Sequence, residues 1–250
     1  MTTAQAPYKL YYWPLPFRGH FIRFVLAYLE ITWEEETDPD MIAELKMLPC
    51  PEQPVPFMAP PLLCDREHNF HVNQLQAIMG YLGRKHGLMP DDPVLAALTD
   101  KVLGDCGDVL EELTCNCGEA MWSPVGWADF SGKRLPRWMQ IFEELGRRHG
   151  LSKNTGTLLG TPALSLADLA TAALWHPMCE TLPGFSDLLQ QEAPLISALI
   201  QRVVQIPQIE GLLQEQHTHL GNVYCGGEIE KSIRLMLDTE GLKRNPQGGS

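Results

Sequence analysis

The 250-residue chain is predicted to fold as two units of different class. The first is an α/β unit over residues 1–87 with its elements in the order β-α-β-α-β-β-α. The second is an all-helical unit over residues 94–250, reached through a linker at 88–93. Three observations predict this. Short β-prone runs alternate with helical periodicity only as far as Val72. A proline-dense passage, "PCPEQPVPFMAPPLLCD", carries six prolines from Pro49 to Pro61 and leads into a hairpin pattern. Past "LMPDDP" the only periodicity left is helical.

Each element has its own reason. "YKLYYW" (8–13) is rich in β-prone aromatics, and Pro14 and Pro16 stop any strand or helix running through them. Phe21, Phe24, Val25, Tyr28 and Leu29 then recur at i, i+3, i+4, i+7 and i+8, one buried helix face. A strand at 32–36 and a helix at 40–48 follow. The prolines fix an irregular loop, in which an X-Pro bond can be cis. Residues 62–64 and 69–72 read as the arms of a hairpin. "NQLQAIMGYLGRKHG" reads as a helix with Leu75, Ile78, Met79 and Leu82 inward, closed by Gly87. In the second unit the pattern predicts helices over 94–121, 137–150, 165–176, 193–204 and 207–216, a loop over 122–136, and disorder in "LKRNPQGGS" at the end. Ser165 and Asp168 have the spacing of a capping box.

Composition narrows the function. Net charge is −12, unevenly spread: residues 1–86 hold 7 Lys/Arg against 10 Asp/Glu, and residues 87–250 hold 12 against 21. Nucleic-acid backbones need clustered basic side chains, so no nucleic-acid partner is expected. An anionic ligand sits more easily on the first unit. No run approaches a membrane span, the start lacks an apolar stretch of signal-peptide length, and seven cysteines without such a leader read as free thiols. A cytoplasmic location and no membrane partner are expected. Cys115 and Cys117 make half a zinc site with nothing at ligand spacing to complete it. They are expected to pack a helix, and no metal is expected.

The chemistry concentrates at Tyr11-Tyr12, the end of the first strand, aimed at the start of the first helix. Neighbouring strand residues face opposite ways, so one of the two tyrosines faces that junction. A phenol there can hydrogen-bond to a ligand held against the helix N-terminus, where the backbone favours an anion.

Four stretches, in order and at matching intervals, resemble the cytosolic glutathione transferases over roughly residues 7–216. "KLYYWPLPFRGHFIRFVLAYLEITWEEE" is similar to the opening of the tyrosine-type sigma and mu classes, with Tyr12-Trp13 ten positions ahead of Ile22-Arg23. "APPLLCD" resembles the cis-proline turn, in the Ala-Pro-Pro form of some microbial and fungal relatives. "NQLQAIMGYL" resembles the family's Gln-Ser-x-Ala-Ile helix start, and "LSLADLA" its capped helix.

The resemblance implies a thioredoxin-like N-terminal domain, a helical-bundle C-terminal domain, glutathione as co-substrate, and a homodimer. It chooses Tyr12 over Tyr11 as the residue that meets the thiol. Glutathione's thiol starts near pKa about 8.5, the thiolate is the nucleophile, and a hydrogen bond to sulfur favours it. The resemblance further implies that Arg18 and Lys46 bind glutathione carboxylates and that Pro61 is the cis residue, with Pro60 pairing the cysteinyl backbone. Gln74 and the residue after it, Leu75, would hold the γ-glutamyl end. Asp108 would reach the γ-glutamyl ammonium across the dimer. An apolar electrophile would lie between the domains against Tyr12, Phe17, Trp122, Trp127 and Phe130. Arg23, His20 and His71 are read as packing residues. No Ser or Cys lies between Trp13 and Leu29, which disfavours the serine and cysteine variants of this chemistry.

Two positions depart from the pattern. Leu75 stands where the family has Ser or Thr, so a hydroxyl is lost, and a hydrogen bond to a charged group is worth about 1.5–3 kcal/mol. Pro60 has no N–H to offer the ligand backbone. They motivate an alternative expectation: a non-catalytic ligand-binding or interaction protein with weakened glutathione affinity.

Overall fold

The computed structural model of the chain describes residues 5–244. A four-stranded mixed sheet with strand order β2-β1-β3-β4 organises the N-terminal domain. Its strands are β1 (Tyr8–Tyr11), β2 (Trp33–Glu36), β3 (Leu62–Asp65) and β4 (Phe70–Asn73). β1 runs parallel to β2 and antiparallel to β3, and β3 pairs antiparallel with β4 across the predicted hairpin. Helices α1 (Arg18–Tyr28), α2 (Pro39–Met47) and α3 (Leu75–Lys85) complete the domain. The β-α-β-α-β-β-α order is as the sequence predicts, and the strand bounds differ from the expected ones by one or two residues.

Helix α1 is buried on every side, from Gly19 to Ala27. The sequence pattern marked only one face. The other is covered by the helical domain, which packs α8 (Leu166–Thr181) and α11 (Pro207–Leu220) against it. The linker is tied to the helical domain where Leu166 N–H donates to Leu88 O at 2.9 Å. The capping box forms at the start of α8: Ser165 N–H and Oγ both donate to Asp168 Oδ2 at 2.8 Å. Asp168 also accepts Leu158 N–H at 2.7 Å, which ties the preceding loop to the helix.

The helical domain departs from the sequence expectations in three places. Helix α4 (Pro93–Leu113) ends earlier than predicted, and α5 (Cys115–Gly118) is a four-residue turn with positive φ at Cys115, Asn116 and Cys117. The expectation that Cys115 and Cys117 pack a helix fails for Cys117, which is exposed where the chain leaves α4 left-handed, while Cys115 is half-buried. The predicted loop at 122–136 is instead α6 (Pro124–Asp129), a π-turn (Phe130–Arg134) and the start of α7 (Leu135–Arg148). Ser123 Oγ accepts Gly126 N–H at 3.1 Å and Pro124 sits at the first helical position, a start signal that the sequence does contain.

Two further helices were not anticipated: α9 (Phe185–Glu192) and the C-terminal α12 (Gly227–Arg244). Helix α10 (Pro194–Val204) lies where expected. Of the expected disordered tail, 242–244 belong to α12 and 245–250 lie outside the described residues. Among the described residues no helix is long and apolar enough to cross a membrane.

Candidate functional site

Strand alternation decides between the tyrosines. Tyr11 lines a cavity on the α2 side of the sheet, with Met41 and Leu45. Tyr12 turns the other way, against α1, and is 2% exposed. Its hydroxyl oxygen accepts the backbone N–H of Arg18 at 3.1 Å, at the first residue of α1. That leaves the phenolic hydrogen free to donate. Burial, partly offset by the Arg18 amide, pushes the hydroxyl well above its ordinary value, so it stays protonated. Gly19 is what lets the ring lie there: a Cβ at this position would meet Tyr12 Cδ1 at 2.3 Å.

Arg23 holds this arrangement together and was underestimated from sequence. Its guanidinium makes a two-point pair with Glu35 of β2, at 2.8 and 2.6 Å, and donates to the carbonyls of Leu15 (2.8 Å) and Trp13 (3.2 Å). Burial works against the Glu35 carboxylate, yet the Arg23 bonds hold it below the usual range. The Trp13–Leu15 bend that follows Tyr12 is thereby clamped to the sheet. The cue was the Arg at i+11 from Tyr12 facing three acidic residues on β2. Sequence does not show that it is buried, because α11 covers it from another domain.

The other predicted positions are placed as follows. The Pro60–Pro61 peptide is cis. Gln74 caps α3 with φ 69°, a conformation that L side chains rarely adopt, and is exposed. The first α3 bond runs from Ile78 N–H to Gln74 O, so the amides of Leu75, Gln76 and Ala77 have no partner within the helix. The Leu75 side chain turns inward, 5% exposed. The Arg18 guanidinium reaches Glu111 of α4 at 3.2 Å and Cys117 Sγ at 3.6 Å. Lys46 is half-buried at the end of α2, and its carbonyl accepts Gln53 Nε2 at 2.8 Å. Gln53 also bonds both backbone groups of Phe57 and so braces the proline loop, a role that the sequence does not announce. Asp108 is exposed on α4.

The predicted apolar residues fall into two groups. Trp122, Trp127 and Phe130 form one aromatic cluster, with ring centroids 5.1–5.7 Å apart. Trp127 and Phe130 are fully buried in it. Phe17 instead meets Tyr224 edge-on, with centroids 5.6 Å apart. Tyr224 is buried and stands near Tyr12 and Arg18. Its segment is fastened by Glu230, whose Oε2 accepts the N–H groups of Tyr224, Cys225 and Gly226 at 3.0, 2.9 and 2.6 Å. The C-terminal segment thus forms a wall beside Tyr12 that sequence reasoning missed.

Over most of its length the chain is similar to known proteins. A family model described as "Glutathione S-transferase, C-terminal domain" matches residues 98–236. The chain is 28% identical over 211 residues to glutathione S-transferase P of Bos taurus, covering 83% of this chain and 91% of that one. It is 26% identical to the hematopoietic prostaglandin D synthase of Gallus gallus, covering 84% and 96%. Among solved structures, the Pi-class glutathione S-transferase of Onchocerca volvulus superposes with a TM-score of 0.69 at 19% identity, covering 88% of this chain and 98% of that one. The prostaglandin synthase D of Nilaparvata lugens does so with 0.66 at 21% identity, covering 83% and 97%.

Proposed function

This chain belongs to the glutathione S-transferase family, and from that premise we propose that it joins the thiolate of glutathione to an apolar electrophile, with Tyr12 as the sulfur's hydrogen-bond donor. The observation that carries the reading is the Tyr12 hydroxyl. Its oxygen is engaged by an N–H at the start of α1, and its hydrogen is left for an acceptor outside. A donor already polarised in this way gives a stronger hydrogen bond to an anion. Each unit by which the thiol pKa falls corresponds to about 1.4 kcal/mol. The thiol proton leaves for solvent and the sulfur bonds to the electrophilic carbon; in a substitution the leaving group departs with the electron pair of the broken bond, and in an addition the carbanion that forms takes a proton from solvent.

The remaining assignments follow the same reading. The unpaired amides at the start of α3 take the γ-glutamyl carboxylate, with Gln74 beside them. The lost hydroxyl at Leu75 is felt as a weaker grip, not as a missing site. Lys46 and Arg18 face the other carboxylate. Arg18 exchanges its pair with Glu111, whose side chain is half exposed, and such pairs contribute about 1 kcal/mol or less. Pro60 and cis Pro61 border the cysteinyl backbone. Asp108 serves a partner subunit in a homodimer. Phe17 and the Trp122 cluster border the electrophile, and the protein acts in detoxification from the cytoplasm.

Titration calorimetry with glutathione tests this first: absence of binding at millimolar ligand rejects it. Given binding, Tyr12→Phe is expected to lower conjugation at neutral pH by about ten-fold or more, with the loss recovered as pH rises toward the free thiol value. An unchanged rate removes Tyr12 from the mechanism. The second reading, a non-catalytic glutathione-fold binder, draws on Tyr12 being 2% exposed beside Tyr224. Glutathione binding without conjugation of any electrophile would favour it.

A further inference from the structure

The seam between the two domains holds a cavity that the Tyr12 site does not use. It has a volume of about 600 Å³ and is lined by Pro16 and His20 from the N-terminal domain, by α8, and by α11 with the loop that follows it. Sites for small organic ligands fall in this size range and often sit between domains.

Three of its lining side chains are unsatisfied. His20 is 1% exposed, stacks on Phe24 with centroids 4.5 Å apart, and has no hydrogen-bond partner for either ring nitrogen. His176 Nδ1 and Gln216 Oε1 are likewise buried and unpartnered. Buried polar atoms in folded proteins nearly always have partners, so three side chains of this kind around one cavity point to something that fills it. Burial, and after it the charges of Arg23 and His176, push His20 far below its ordinary value, so its imidazole is neutral and offers a lone pair as well as an N–H. The charge of Arg23 behind it is met by Glu35. The lining has no Lys or Arg, and its carboxylates are those of Glu180 and Glu210. The cavity therefore combines hydrogen-bond acceptors, negative charge and apolar surface from Pro16, Pro177 and Leu213.

We propose that this cavity binds a small organic cation, a primary ammonium on an apolar body, whose N–H groups are accepted by Gln216 and an unpaired imidazole nitrogen while Glu180 and Glu210 supply the counter-charge. The site does not rest on the glutathione reading, because Tyr12 is not among the residues that line it.

Three probes with one ring system test it by calorimetry on the full chain: tryptamine (cation), 3-ethylindole (neutral) and indole-3-acetate (anion). Tryptamine is expected to bind at least ten-fold more tightly than either of the others, with glutathione neither displacing it nor displaced by it. The exposed pair Glu180→Gln with Glu210→Gln should erase that preference while leaving the melting temperature unchanged, and Gln216→Leu should weaken tryptamine several-fold. Equal affinity for all three probes, survival of the preference in the double variant, or competition by glutathione each overturns the proposal. So does absence of binding up to about 1 mM, which would leave ordered water as the occupant.

Discussion

Gly19→Ala is the most direct test of how Tyr12 is positioned. The added Cβ would lie 2.3 Å from Tyr12 Cδ1, 2.8 Å from Cγ and 3.0 Å from Cε1. Real Cβ contacts essentially stop at 3.0 Å, so the ring or the helix has to move by about 0.7 Å. The ring is enclosed, and forcing an extra carbon into a packed core costs about 1–3 kcal/mol. Alanine recovers about 1 kcal/mol of helix propensity over glycine, which leaves a net loss of about 0–2 kcal/mol. The catalytic effect is expected to be larger. The hydroxyl rides on the displaced ring and loses its 3.1 Å contact with the Arg18 amide, and a misplacement of about 1 Å at a reacting centre costs on the order of 100-fold. The assay is conjugation of a chromogenic aryl halide at saturating glutathione, with thermal melting alongside. Gly104→Ala is the control: nothing lies within 4 Å of its Cβ, so it should keep the wild-type rate and melt at or slightly above the wild-type temperature. If Gly19→Ala keeps the wild-type rate, Tyr12 is either not held by this contact or not used by the reaction.

Three further outcomes are expected. Arg23→Ala frees the Trp13–Leu15 bend and leaves Glu35 without its partner; Glu35 reaches solvent, so the loss is that of charge-assisted hydrogen bonds, about 1.5–3 kcal/mol, read as a lower urea midpoint, and glutathione affinity should fall with it. Gln74→Gly relieves a positive φ that costs about 1–3 kcal/mol in a non-glycine residue; it should raise the melting temperature and weaken glutathione, and a Gln74 that matters only to the fold would give the first effect alone. Asp65 is buried; burial raises its pKa, but the Lys85 bond at 2.6 Å and the Tyr81 bond at 2.5 Å outweigh that and hold it down, to about 2 from 3.8. A depressed acid stabilises the fold above its unfolded value and loses that contribution as pH falls, here between about pH 4 and pH 2, for about 2 kcal/mol; urea unfolding should show the loss in the wild type and much less of it in Asp65→Asn.

The N-terminal domain was nearly all legible because its signals are local. Alternation separates Tyr11 from Tyr12, prolines 14 and 16 end the strand, and Pro60-Pro61 marks the turn before the hairpin. What escaped depends on contacts between distant segments. Phe21 and Phe24 could be read as a buried face, but not the burial of His20 and Arg23, which comes from α8 and α11. The Trp122–Phe130 stretch looked like a loop because its Ser, Pro and Gly residues mask a short capped helix. Helix α12 had the periodicity to be found, with Ile229, Ile233, Met236 and Leu237 on one face, and with it would have come Tyr224. The family resemblance nominates ligand groups on the sheet side, yet nothing local says that Arg18 meets Glu111 or that Phe17 meets Tyr224.

That last contact sets an order of assembly. Phe17 and Tyr224 are 207 positions apart in the chain, so at about 5–20 residues per second the ribosome takes on the order of 10–40 s to supply the second after the first. During that interval the N-terminal domain can form its sheet but not the wall beside Tyr12. Tyr224 and the Glu230 that grips its segment are therefore the last parts of the Tyr12 surroundings to become available.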